Sequence, residues 1–219
     1  VMTLILKNKL GYSATQIAAI LMILGFVQLP FTLIGGKLAD RFNKRNLIIV
    51  CDLVTVVSYF VCAFMPMSEK LVPILALAAI FAQMEWPSYD ALVADLSSAE
   101  DRERAYSLSY LGTNLGLVLA PTIGGFLFAN HLSLAFLISS LATFSSTVLI
   151  FLFIKDVTPV KTETVSGHYE EVRDGHSIWR VLWENKLLLL FMLCGGIWML
   201  VYSQFNFLMP LNLEQYYGE

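Results

Sequence analysis

Gly36-Lys37-Leu38-Ala39-Asp40-Arg41-Phe42-Asn43-Lys44-Arg45 lies between two long apolar runs and carries four basic side chains and one acid. Upstream, Leu10 to Gly36 holds no charged residue. Downstream, Asn46 to Ser68 holds only Asp52. Each run is long enough to cross a bilayer, which takes about 20 mostly apolar residues. A basic hinge between two such runs sets their orientation, because Lys and Arg accumulate on the cytoplasmic side.

The same pattern continues along the chain. Hydrophobic residues make up 57% of the 219 positions and charged residues 14%. A soluble domain is nearer 45–50% and about 25%. Apolar spans fall at 10–36, 46–68, 70–94, 105–129, 132–154 and 187–213, and the turn between the fourth and fifth is Asn130-His131. Helices are the expected form, because lipid cannot satisfy open strand edges. With the hinge inside, the inner loops hold eleven of the fourteen Lys and Arg residues, leaving Lys7, Lys9 and Lys70 outside. No basic stripe points to nucleic acid. Cys51, Cys62 and Cys194 sit inside apolar runs at no metal-binding spacing and are read as packing residues. His131, His168 and His176 lie in loops, and no phosphate-loop, zinc-protease or nucleophile-elbow motif is present in the sequence. An enzyme is not expected.

Residues 155–186 are polar and form a linker that ends in Ser177-Ile-Trp-Arg-Val-Leu-Trp-Glu-Asn-Lys186. Ile178, Trp179, Leu182 and Trp183 share one helical face, which suits a helix lying on the inner membrane surface. The chain ends resemble each other, Val1 to Gly11 against Leu208 to Gly218, with Met, Leu, Leu and Gly in matching places. A repeat of that length predicts a protein of two similar halves, of which this chain would be one period. The expected organisation is a membrane bundle over 1–154, a cytoplasmic linker over 155–186, and the first helix of a second bundle over 187–219.

The hinge resembles the signature of the major facilitator superfamily between its second and third helices. Gly36, Asp40, Arg41, Lys44 and Arg45 match, and Asn43 stands where a second glycine is usual. That position needs a tight turn, and Asn tolerates the left-handed region better than any residue but Gly. A second match is Gly116-Leu-Val-Leu-Ala-Pro121-Thr-Ile-Gly124-Gly125, similar to the glycine–proline motif of the superfamily's antiporters, with Ala120 in place of a glycine. Gly112, Gly116, Ala120 and Gly124 recur every four residues, a smooth stripe for close approach of another helix. The resemblance covers essentially the whole chain and looks like helices two to seven of a twelve-helix all-α transporter. The stretch from Ala94 to Ala105 and the run from Trp183 to Pro210 are most similar to bacterial proton-driven multidrug exporters.

Acids inside spans are costly and face a cavity or a partner. Asp52, Glu85 and Asp90 are of this kind. Counting about 1.5 Å per residue places Glu85 ~15 Å inside, near the midplane, with Asp52 and Asp90 sharing a shallower layer at ~8–9 Å. Glu85 is therefore the candidate for proton coupling or for a cationic substrate, the two competing at one carboxylate. Gln28, Asn114 and Trp198 lie at similar depth as candidate cavity residues, with Tyr89, Tyr110, Gln204 and Asn206 behind them. The resemblance implies a conformational latch in which Asp40 docks on the second half of the protein and Lys44 pairs with Asp95. It also implies a secondary transporter that exports hydrophobic or cationic compounds against inward proton flow by alternating access. A metabolite uniporter or symporter, a seven-span receptor and a channel-like subunit are the alternatives. The expected coupling ion is the proton, with no cofactor or metal. The expected partners are the bilayer, a small-molecule substrate and the second half of the same chain. The expected location is the bacterial cytoplasmic membrane.

Overall fold

The computed structural model describes residues 2–98, 100–128, 131–154 and 185–217, and no strand occurs among them. A short helix α1 (Met2–Leu4) runs into a π-helical turn (Ile5–Lys9). It is followed by α2 (Ala14–Arg41), α3 (Lys44–Phe64), α4 (Leu71–Leu96), α5 (Arg102–Phe128), α6 (Leu132–Phe153) and α7 (Lys186–Tyr217). The chain divides into two compact units, Val1–Lys161 and Thr162–Glu219. The first holds α1 to α6 and the second holds α7. Among the described residues six helices, α2 to α7, are long and apolar enough to cross a membrane, so the all-α membrane architecture expected from hydropathy is the one observed. The expected surface helix from Ser177 lies outside the described residues except for Asn185 and Lys186. There Asn185 Oδ1 accepts from Leu188 N at 3.2 Å and caps α7.

Local chemistry sets the helix ends. Gly11, at φ 72°, takes the left-handed turn before α2. Ser13 and Gln16 then form a reciprocal capping box, which satisfies two of the donors that a helix start leaves open. Pro30, Pro87 and Pro121 lie inside α2, α4 and α5. Each removes one ladder hydrogen bond, a loss that packed membrane helices absorb.

The hinge is shorter than hydropathy implies. Gly36 to Arg41 are the last turns of α2, and only Phe42 and Asn43 break the helix before α3. Charge marks where the chain leaves lipid, and a helix can continue well past that boundary.

In the first unit, α4 packs between α2 and α3, and α3 packs between α4 and α6. At the end away from the hinge, Ile5, Cys62, Leu71, Leu75, Leu132 and Phe136 form a buried cluster. Ser140 Oγ donates to the Val56 carbonyl at 3.0 Å along the α3–α6 seam. α5 leans on α4 and α6 and buries none of its residues. Outward faces are strongly apolar, with Phe126 87% and Phe153 76% exposed, as lipid-facing residues should be. Cys51 and Cys62 are buried and Cys194 is exposed, all unbridged.

Candidate functional site

Two layers of polar contact cross the α3–α4 seam, where the helices run antiparallel. The layer at the hinge end is the ion pair between Lys44 Nζ and Asp95 Oδ2, at 2.8 Å. Lys44 is buried and Asp95 about one-third exposed. Each charge sits at the wrong end of its own helix: Lys44 opens α3, where the dipole is positive, and Asp95 closes α4, where it is negative. Each is stabilised chiefly by the other across the seam.

The remaining hinge residues diverge. Arg45 Nη2 donates to the Phe151 carbonyl at 2.7 Å, with the guanidinium 5.1 Å from the Phe151 ring centroid. That carbonyl belongs to the last turn of α6, where cations are favoured. The hinge thus ties the α3 start to the ends of both α4 and α6. Nothing in the residue pattern signals this last contact, because its acceptor is backbone. Asp40 and Arg41 are exposed, and among the described residues Asp40 has no partner.

Asn43 is not in the left-handed region expected for it. Its φ is −62° and ψ 115°, and its Oδ1 accepts from Asn46 N at 3.3 Å as the N-cap of α3. Asn at the glycine position is therefore a helix cap. Asn43→Ala is expected to cost about 0.5–2 kcal/mol and Asn43→Gly only a few tenths, readable as the thermal unfolding midpoint in detergent. A left-handed Asn43 would instead make Asn43→Gly more stable than the wild type.

Gly36, the signature glycine, has open space where a Cβ would stand. Its neighbour Gly35 does not. A Cβ on Gly35 would collide with the backbone carbonyl of Met84, so α2 and α4 touch backbone to backbone there. The pair Gly35-Gly36 is visible in the sequence, but nothing in it says which glycine bears the contact.

The deeper layer joins three helices. Glu85 on α4 hydrogen-bonds Asp52 on α3. Asp52 Oδ2 also lies 2.8 Å from Thr147 Oγ1 on α6, and that hydroxyl lies 2.9 Å from the Thr143 carbonyl. Asp52 is 6% exposed. This corrects the expected layering, in which Asp52 paired in depth with Asp90. α3 begins at Lys44 rather than Asn46, which lowers Asp52 to ~12 Å from the helix start. The carboxyl chains reach across the few ångströms left to Glu85. Asp90, five residues beyond Glu85, points to a different side and is exposed. Among the described residues its carbonyl alone is engaged, by Tyr106 Oη at 3.0 Å.

The other candidates are scattered. Gln28 is half-buried, with its carbonyl accepting from Thr32 at 3.1 Å. Asn114 Nδ2 donates to the Tyr110 carbonyl at 2.7 Å, so one of its amide donors is used within its own helix. Trp198, in the second unit, is 66% exposed and stacks on Tyr202. Side chains of Gln204 and Asn206 lie outside the described residues. Gly112, Gly116 and Gly125 face open space on the side where a Cβ would project, and Ala120 and Pro121 are exposed while Gly124 is half-buried. The expected helix partner of that stripe is not found among the described residues. Between α4 and α5 a cleft of ≈ 670 Å³ opens, its walls including Tyr89, Val93, Ser97, Leu108, Ser109 and Thr113. Glu85 is not among the residues that line this cleft.

These observations agree with comparisons to known proteins. The chain is 26% identical over 151 residues to multidrug resistance protein 1 of Bacillus subtilis, covering 69% of this chain and 39% of that protein. It is 23% identical over 201 residues to a Na(+), Li(+), K(+)/H(+) antiporter of Planococcus maritimus, covering 84% and 46%. It is 25% identical over 120 residues to the quinolone resistance protein NorA of Staphylococcus aureus, covering 55% and 31%. In each case the match spans less than half of the relative's length. The sequence pattern of the Major Facilitator Superfamily matches residues 1–218. With its basic hinge, its paired Lys44 and Asp95 and its membrane-length helices, the chain belongs to the Major Facilitator Superfamily.

Proposed function

We propose that this chain is part of a proton-coupled secondary transporter that exports hydrophobic or cationic compounds by alternating access. The observation that carries the proposal is the Asp52–Glu85 contact inside a membrane-length bundle. Two carboxyl groups bond to each other only with a proton between them, and acids buried in a membrane are costly and mark proton or substrate pathways. Relatives named for multidrug resistance and for proton antiport support the same reading.

In this reading the hinge end faces the cytoplasm of a bacterial cell, as the Lys and Arg bias requires. The Lys44–Asp95 pair and the Arg45 contact hold the helix ends together in one state and part in the other. The α4–α5 cleft, with apolar walls and several hydroxyls, suits an amphiphilic molecule that leaves the inner leaflet. Glu85 carries the proton and no substrate group.

The test is proton movement driven by substrate, using the full-length protein in vesicles with a pH-sensitive dye inside. Adding a lipophilic cationic dye to vesicles that hold no gradient is expected to drive counterflow of protons. Dye flux without any proton movement, and indifferent to an imposed pH gradient, would contradict the proposal.

A further inference from the structure

Ser88 is fully buried, and among the described residues its hydroxyl has no hydrogen-bond partner. Hydroxyls in membrane helices normally bond the carbonyl four residues back, and Thr32, Thr55, Ser58 and Thr113 do so here. Ser88 does not, and its own such carbonyl, that of Met84, is pressed against Gly35. A buried hydroxyl left unmatched in a packed seam needs a reason.

Glu85 lies one turn before Ser88 on the same face of α4. Helical Cα–Cβ bonds tilt toward the N-terminus, so the Ser88 side chain leans toward Glu85. Glu85 is at present bonded to Asp52, whose other oxygen is held by Thr147. With Thr147 on one Asp52 oxygen, the other oxygen can accept from a protonated Glu85.

We propose that Glu85 is a two-position carboxyl. Carrying its proton it bonds Asp52. Having released the proton to water, it turns toward the hinge end and takes the Ser88 hydroxyl as its donor. One proton leaves, the Glu85–Asp52 hydrogen bond is exchanged for one donated by Ser88, and no other covalent bond forms or breaks. The move separates two carboxylates that cannot stay in contact once both are charged. It thereby loosens the α3–α4 seam ~12 Å from the Lys44–Asp95 pair. The other groups around the pair are few. Cys51 on α3 is close enough to interact with both carboxyls, and α6 presents Thr147. Lys37, Asp40 and Arg41 of α2 are exposed, and Tyr106 of α5 is engaged with Asp90.

The inference deepens the transport reading and rests on it for its purpose, but its test does not use transport. Infrared difference spectra between acid and alkaline pH would be recorded on the full-length protein in lipid. The wild type is expected to give one protonated-carboxyl band that E85Q removes and D52N shifts in frequency. S88A is expected to keep the band but lose it about one to two pH units further to the alkaline side, because the ionised form has lost its donor. T147A, which leaves Ser88 intact, should alter the band's frequency through Asp52. A band in D52N identical to the wild type overturns the pair. An S88A titration identical to the wild type overturns the second position. If the spectra behave as expected while E85Q still exports with full proton coupling, the two-position carboxyl stands and the transport reading falls. Loss of coupling in E85Q with no spectral link to Asp52 or Ser88 gives the reverse.

Discussion

Gly35→Leu is expected to leave almost no folded protein, whereas Gly36→Ala is expected to be neutral or slightly stabilising. The first methyl carbon at position 35 already meets the Met84 carbonyl. Backbone cannot step aside as a side-chain tip can, so α2 and α4 must separate along their seam. Overpacking of this kind costs about 1–3 kcal/mol for a small group, so Gly35→Ala should lower the unfolding midpoint visibly. The three further carbons of leucine exceed what native stabilities of about 5–15 kcal/mol tolerate alongside that strain. At Gly36 the space is open, and alanine is the better helix former by up to about 1 kcal/mol. Fluorescence-monitored size exclusion of detergent extracts measures both. Equal yields from Gly35→Leu and the wild type would show that the helices do not touch there.

Reversing the hinge ion pair is expected to stabilise the protein and slow it. In Lys44→Glu/Asp95→Lys each charge would sit at the favourable end of its own helix, worth about 0.3–1 kcal/mol apiece. The native arrangement forgoes that, which makes its pair easier to break. The single change Lys44→Ala leaves Asp95 partly buried beside the α4 end without a partner. Its cost should lie between the roughly 0–1 kcal/mol of a surface pair and the 3–5 kcal/mol of a buried one, hence about 1–3 kcal/mol. If the pair forms in one transport state alone, that energy shifts the balance between states by about 5–150-fold. The expected signature is a raised unfolding midpoint with lower turnover in the double variant, and the opposite stability change in Lys44→Ala. A double variant with native stability and native turnover would mean that the pair is a surface contact without a role in alternation.

The spans are legible in the sequence from hydropathy and from charge at helix ends, and the Lys44–Asp95 pair is legible through the resemblance of the hinge to the family signature. The Asp52–Glu85 contact escapes such a reading by a few ångströms. A two-residue error in where α3 begins moves a side chain ~3 Å along the axis, enough to choose Asp90 in place of Glu85. Arg45 bonds a carbonyl, and backbone acceptors carry no sequence mark. Ser88 resembles any helical serine until its usual acceptor is found occupied by packing against Gly35. Asn43 shows the opposite case. Its position is legible, but glycine and asparagine serve a turn and a cap through different physics, and only the backbone angles tell them apart.

The central claim is that Glu85 carries the coupling proton. Gradient-driven export in vesicles of the full-length protein, compared with substrate exchange in the absence of a gradient, tests it most directly. Glu85→Gln is expected to keep exchange near the wild-type rate and to lose gradient-driven export by about tenfold or more, a change of at least ~1.4 kcal/mol in the coupled step. Full gradient-driven export by Glu85→Gln would contradict the account.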